Sequence, residues 1–517
     1  MKKLFVLVLL SGSLNCFSQD WPLKKIVRAR KESGVKFTVL PVLSFVTNKT
    51  LANRGTYQQL KLDPFFVNQV MKHRPEALLL TIPVGNGKSI NCELLQFSMG
   101  NVKFTENNSS VLENMKIPLT YRGIIAGEQK MNTVVLTVND DYMALVASMP
   151  DKNIQVTQAD ENDKTLYRLY NSETILFPSV ALECGTNNSP VSKTANGIDL
   201  TGVQVNPLGV QDKCVNVFVD CSDSMYQWRQ SNPQQVTYYV YELFNLVAGG
   251  YMNEQINIQI TTINIWTTAS PFRATTRETA LTQIANYWKD NFWGNICVGL
   301  DFSLNRIAGR GRSGIAGDIG RVKAISSNTC PAYDSVNNRS ACCYNDLNYG
   351  GIYTGFPTGP NTSQSQLYLV MHEIGHLLGS SHTHWCGWKL SSNPDVFGAI
   401  DSCAAPEGSC MQGPPPAGGR GTIMSYCNGN VGINYYNGFG VLPGNAIRNF
   451  VDQSACILTC VECFGLRMNS DIDGYAFQNT STVLGKENST GGNKQNEPIK
   501  SQSTEGELCL NTKKLKQ

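Results

Sequence analysis

His372-Glu373-Ile374-Gly375-His376-Leu377-Leu378-Gly379-Ser380-Ser381-His382-Thr383-His384 holds four of the five histidines in a chain of 517 residues. The run contains H-E-x-x-H-x-x-G-x-x-H. Residues 364–379 read as a helix, because Leu367, Val370, Met371, Ile374, Leu377 and Leu378 recur at helical intervals. His372 and His376 are four apart, so they stand one above the other on a single helical face. Two imidazoles placed this way can hold one ion at roughly 2.0–2.1 Å each. A straight helix would carry His382 away from that ion. Gly379 tolerates the left-handed backbone that commonly ends a helix, so the chain can turn there and return His382 as a third ligand. The spacing therefore predicts a catalytic Zn2+ site, with His372, His376 and His382 as ligands and a fourth position kept for water. Glu373 follows the first ligand and points near the metal without needing to bind it. It is the expected general base, taking a proton from water whose pKa the ion lowers to about 7 and passing it to a leaving amine. His384, two residues past the third ligand, is expected on the surface or in a supporting role.

With these residues in hand, the chain resembles the metzincin zinc peptidases, and among them the adamalysin or reprolysin branch in a bacterial-type version. The resemblance covers about residues 212–460. A second motif carries it: Gly421-Thr422-Ile423-Met424-Ser425-Tyr426-Cys427 is similar to the family's methionine turn. That implies Met424 as an apolar floor packed under the ligand imidazoles, against the plainer reading of ordinary core. Thr383 departs from the aspartate that adamalysins place after the third histidine, and is similar to pappalysin-type metzincins. Tyr426 lies two past Met424, where astacins and serralysins carry a tyrosine that ligates zinc and swings to the oxyanion. An assisting catalytic role for Tyr426 is implied, against a packing role. Ser313-Gly314-Ile315-Ala316 is the best counterpart of the family's substrate-pairing edge strand, where an extended peptide would add by main-chain hydrogen bonds. The resemblance also implies a structural Ca2+ whose ligands are not assignable; Asp471-Ile472-Asp473-Gly474 is too short for a calcium loop. The implied architecture is an α/β metzincin-like catalytic domain, a twisted sheet with packed helices, an active-site helix and a methionine turn, preceded by a β-rich propeptide domain.

The rest of the chain fits around this. Lys2 and Lys3 followed by apolar residues 4–10 read as a signal peptide over 1–18, which predicts secretion. Cys16 follows Ser13-Leu14-Asn15, a poor lipobox. Residues 19–200 read as β-rich, with strand-like runs at 35–46, 117–124 and 133–147. Their position before a secreted peptidase implies a propeptide that inhibits its own enzyme. Cys184, in Leu182-Glu183-Cys184-Gly185-Thr186, resembles the Cys-Gly of a cysteine switch, in which a thiolate fills the open zinc position. Pairing of Cys184 with Cys92 is the alternative. Residues 201–213 are the expected linker and processing region, within a run rich in Asn, Ser, Gly and Pro from 187 to 212. The catalytic domain, 214–463, opens with a strand at 214–220 in which Val215, Val217 and Val219 alternate. A helix starts at Pro233 with Asn232 as N-cap, its apolar face formed by Val236, Tyr239, Val240, Leu243, Phe244 and Val247. A strand at 255–266 and a helix at 276–291 continue an α/β alternation. Residues 464–517 are polar and read as a disordered tail.

A formal net charge of +3 with both signs interspersed implies no nucleic-acid partner. Nothing after the first twenty residues is long and apolar enough to span a membrane. Thirteen of the seventeen cysteines lie between Cys214 and Cys463, and a secreted chain is expected to oxidise them. Cys386, Cys403, Cys410 and Cys427 bracket a Pro- and Gly-rich stretch at 413–421 and are expected to staple it. The resemblance pairs Cys330 with Cys456, Cys460 or Cys463. Adjacent Cys342 and Cys343 are expected to bond to different partners. No C-x2-C…C-x2-C pattern suggests a second metal site. The whole points to a secreted zinc endopeptidase acting on polypeptides and made as a latent precursor. The alternatives are a pappalysin-like peptidase and a non-catalytic adhesion module that keeps zinc for structure. Glu373 speaks against the last.

Overall fold

Two β-sheets organise the molecule, and one helix lies between them. The computed structural model describes residues 21–51, 55–160, 163–171, 183–186, 193–203, 213–302, 313–325, 330–335, 339–347, 364–392, 394–427 and 431–460. The signal segment, the polar tail with Asp471–Gly474, Cys463 and residues 187–192 and 204–212 of the expected processing region lie outside the described residues.

The first sheet has ten strands. Its middle is an antiparallel meander: Leu119–Ile125, Thr133–Val138, Met143–Ser148, Asn153–Gln158 and Leu166–Asn171 pair in turn. Alternate residues divide between two cores, as period-two pleating requires. Val134, Leu136, Val138, Met143, Leu145 and Ala147 pack into the sheet's own core with Phe66 and Val70 of the helix Phe66–His73. Val135 and Val146, between them, join the larger core of the C-terminal half.

The second sheet has eight strands. Ile296–Asp301, Cys214–Cys221 and Asn257–Ile265 form its parallel centre and are buried along their whole length, as strands covered on both faces are. The long helix Pro233–Asn253 covers one face. Asn232 caps it, its side-chain oxygen accepting from Gln234 N at 2.9 Å. The helix Arg277–Trp288 covers the other, with Ile284 and Trp288 packed on Phe218, Cys297 and Tyr344. The helix Gln364–Leu377, which carries the histidine motif, lies on the long helix's side; Tyr251 Oη donates to Met371 O at 2.9 Å. The predicted α/β sandwich thus stands as a sheet with helices on both faces.

Sequence and structure differ at several points. The run 133–147 is two strands, because Asn139 accepts from Asp141 N and Tyr142 N and closes a turn between them. In the run 35–46, Pro41 has no N–H to give a ladder, and only Thr38–Val39 and the start of Leu43–Leu51 are strands. The helix Pro22–Glu32 was not anticipated, although Leu23, Ile26 and Val27 carry its buried face. Four disulfides are present among the described residues: Cys214–Cys460, Cys330–Cys456, Cys386–Cys410 and Cys403–Cys427. Cys342 and Cys343 are not bonded. They sit in the buried strand Cys342–Asp346, face opposite cores and serve as small apolar residues. Cys92 is buried in the first sheet's core and leaves Cys184 unbonded.

Segments of the N-terminal half also enter the second sheet. The hairpin Lys103–Glu106/Ser110–Val111 leaves the first half and adds to the second sheet, with Lys103 opposite Thr262 in a parallel pair. At the other edge, Glu183–Cys184 pairs in parallel with Ser313–Ala316. Local alternation looks the same whichever sheet a strand joins, so the sequence held no sign of the hairpin's exchange, and for 183–184 only Cys184 pointed toward the second half.

Candidate metal centre

The helix Gln364–Leu377 presents His372 and His376 on one face, and the chain turns where the glycine permits. Gly379 has φ 97°, its N–H bonds to His376 O at 2.9 Å, and Ser380 N bonds back to Gly375 O at 2.9 Å. His382 returns to the cluster. His376 Nε2 lies 3.1 Å from His372 Nε2 and 3.1 Å from His382 Nε2. The opposite nitrogen of each ring has an acceptor: His372 Nδ1 faces Ile423 O at 2.7 Å, His376 Nδ1 faces Ser380 O at 2.7 Å, and His382 Nδ1 faces Glu407 Oε1 at 2.8 Å. This network assigns the protons to Nδ1 and leaves three bare Nε2 lone pairs pointing at one another. Converging lone pairs repel unless a cation lies among them, and three neutral imidazoles are a zinc donor set. Burial, with His382 adding to it, pushes His372 down to about 3. His376 and His382 are also lowered, burial first. All three are thereby held in the neutral form that binds metal.

Cys184 completes a tetrad. Its ligand atom and those of the three histidines all lie within 4.8 Å of one another. Cys184 Sγ is 3.5 Å from His376 Nε2 and 3.5 Å from Glu373 Oε2. Burial, and then the Glu373 carboxylate, push this thiol up. Glu373 is fully buried. Burial raises its carboxyl to about 8 against the opposing hydrogen bonds of Cys184 and Thr186. Thr186 Oγ1 reaches Glu373 Oε2 at 3.4 Å and accepts from Ala316 N at 2.9 Å.

The other expected residues gather here too. Ser313–Ala316 pairs antiparallel with Cys342–Asp346, and its free side is taken by Glu183–Cys184, extended by Gly185 N donating to Gly314 O at 2.8 Å. Gly314 stands so close to Glu373 that a Cβ there would fall 2.4 Å from Oε1. Ile315 and Ala316 are buried beside it. Tyr426 Oη donates to Cys184 O at 3.1 Å, and its ring centre lies 4.7 Å from that of His382. Met424 is fully buried, with its sulfur against Gly375 between the first two ligands. Thr383 N donates to Met424 O at 3.1 Å, so the main chain ties the third-histidine segment to the methionine turn. His384 is buried, stacks on His382 at 5.0 Å and meets Glu407 Oε1 with its Nε2 at 2.9 Å, which excludes the surface position.

Sequence reasoning missed Glu407, Thr186 and Trp388. Glu407 accepts from two imidazoles; these bonds outweigh burial and bring its carboxyl down to about 2. Trp388 Nε1 donates to His382 O at 2.8 Å and fixes the ligand's backbone. The one available signal for Glu407 was its place beside Cys410, whose bond to Cys386 draws it to the histidines. Among the described residues, no group that could gather round a cation consists of carboxylates alone, so the expected calcium finds no support. In the group Asp401, Cys403 and Cys427, both sulfurs are spent in a disulfide.

Residues 211–437 match the Reprolysin_5 family model, metallo-peptidase family M12. The crystal structure of metalloproteinase-II from Bacteroides fragilis is similar over 59% of this chain and 81% of that one, at 11% identity and a TM-score of 0.33. A likeness that loose speaks neither for nor against a function.

Proposed function

We propose that this chain, a metzincin-type metallopeptidase by its residues 211–437, is a secreted zinc endopeptidase made as a latent precursor. The observation that carries this is the convergence of three imidazole Nε2 atoms beside a buried carboxyl and the strand Ser313–Ala316, whose outer side Glu183–Cys184 covers. His372, His376 and His382 would hold the ion. Zinc so held supplies positive charge that acidifies water and polarises the substrate carbonyl. Glu373 takes a proton from water and delivers it to the leaving amine. Gly314, Ile315 and Ala316 align an extended peptide by main-chain hydrogen bonds where Glu183–Cys184 now lies. Tyr426 offers its hydroxyl to the developing oxyanion once Cys184 O no longer accepts it. Met424 forms the apolar floor.

Latency follows from residues 19–200 acting as propeptide through Cys184, whose sulfur stands as a fourth donor to the three histidines. The parallel strand pairing at 183–184 closes the edge strand to a substrate at the same time. Secretion is supported by the disulfides and the N-terminal signal pattern. Among the described residues no helix is long and apolar enough to cross a membrane. Thr383 leaves a pappalysin-like subfamily in play without changing any role above.

The test is casein digestion. Full-length wild-type protein is expected to be latent, and full-length Cys184→Ser to digest casein without being cut. Adding Glu373→Ala to that variant should keep zinc bound and lower turnover about 100- to 10,000-fold. A chelator should abolish digestion. Intact casein with zinc bound to Cys184→Ser and to the trimmed enzyme would defeat the peptidase reading. A trimmed enzyme that digests while Cys184→Ser stays latent would defeat the switch alone.

A further inference from the structure

The long helix reads PQQVTYYVYELFNLVAGGYMN, with Glu242 as its one charged residue, and every residue from Val236 to Met252 is buried. A helix with one face in water carries a polar stripe, whereas one that is apolar all round belongs inside a protein. Half of its circumference lies on the catalytic sheet: Val236, Tyr239, Val240, Leu243, Phe244 and Val247 share a core with that sheet's strands. Of the rest, Met371 and Tyr435 cover a part, and the N-terminal meander covers the remainder. Gly249 meets Val135 so closely that a Cβ would lie 2.8 Å from Val135 Cγ2. Arg122, buried, donates through Nε to Asn245 Oδ1 at 2.9 Å, and Asn245 Nδ2 donates to Leu136 O and Thr137 Oγ1, both at 3.0 Å. Tyr238 packs edge-on against Tyr142, and Asn253 Nδ2 donates to Thr133 Oγ1 at 2.9 Å. Met252 joins Trp21, Leu23, Ile26 and Val27 of the first helix. Four further residues, Lys103–Glu106, complete the outer edge of Asn257–Ile265.

The contact that blocks the site is of another order. It rests on a two-residue strand and the few bonds of Cys184, Gly185 and Thr186. We propose that residues 21–171 remain bound as a non-covalent subunit of the mature enzyme after the chain is cut between 187 and 212, and that activation requires only segment 183–186 to leave the cleft. The occupant of the long helix's outer face is thus this chain's own N-terminal half, which buries the helix from Val236 to Met252 and partners Asn245 on it. Separation would wet that helix, strip Arg122 and Asn245 of each other and bare the edge of Asn257–Ile265. No disulfide among the described residues joins the two halves, so what holds them after a cut is this interface.

The inference deepens the latent-precursor reading, yet its test does not rest on it. In a full-length Glu373→Ala chain, residues 187–192 are replaced by the recognition sequence of a site-specific protease, and the cut product is passed over a sizing column at micromolar concentration. Both fragments are expected at the elution volume of the uncut chain, with separation only in denaturant. Arg122→Ala should raise the dissociation constant of the cut pair at least about tenfold, and exposed Lys130→Ala should not change it. Fragments that part in native buffer, or a pair indifferent to Arg122→Ala, would overturn the proposal. Latency is read separately, from casein.

Discussion

Glu407 takes hydrogen bonds from His382 and His384 on one carboxylate oxygen, and through them holds the third ligand ring in place. A carboxylate behind a ligating imidazole fixes the ring's tautomer and raises its basicity. Glu407→Ala is therefore expected to weaken zinc binding about 10- to 100-fold in competition with a chelator. Glu407→Gln should recover part of the loss, because its amide oxygen still accepts. Equal zinc affinity in all three proteins would exclude the role. Tyr426 makes a different demand. If its hydroxyl serves the oxyanion, Tyr426→Phe in the unblocked enzyme lowers kcat by about 100-fold and leaves KM near its starting value. An unchanged kcat/KM would return Tyr426 to packing. The three histidines and Glu373 were legible because helical spacing relates His372, Glu373 and His376, and the turn at Gly379 returns His382. Glu407 was not, since it lies 25 residues from His382 and arrives through a disulfide.

At the scale of elements, the strands and helices with a strong period emerged where the pattern put them. Val215, Val217 and Val219 all face one core, and Thr276 caps the helix Arg277–Trp288 through Thr279 N. What failed were the joints. Asn139 breaks one apolar run into two strands by a side-chain turn that costs no apolar residue. The Pro- and Gly-rich stretch at 413–421 has little order of its own, and Cys403–Cys427 closes a loop of 24 residues around it up to the methionine turn. On chain-entropy grounds such a loop is stabilised by about 3 kcal/mol. Replacing both Cys403 and Cys427 with serine should lower the thermal midpoint by several degrees, measured with zinc present, and open the stretch to limited proteolysis. An unmoved midpoint and an uncut loop would mean that packing, and not the bond, orders it.

For the whole molecule, the α/β class and the order of the catalytic elements were readable, because each rests on contacts between neighbours in sequence. The sharing of strands between the two halves was not. Pairing partners such as Thr105 and Asn264, bonded through their side chains at 2.9 Å, are 159 residues apart, and nothing in either segment names the other. The long helix did carry a sign. Apolar residues spread over most of its circumference are more than one sheet can cover, and they called for a further cover that the first half of the chain and the helix Gln364–Leu377 supply together.

That sharing also sets an order in time. A ribosome delivers the hairpin at 103–111 long before the strand it will flank, so the first sheet can close and hold Lys103–Glu106 ready as Asn257–Ile265 emerges. The catalytic sheet then grows against an edge already in place, and the segment at 183–186 is on hand before His372 leaves the tunnel.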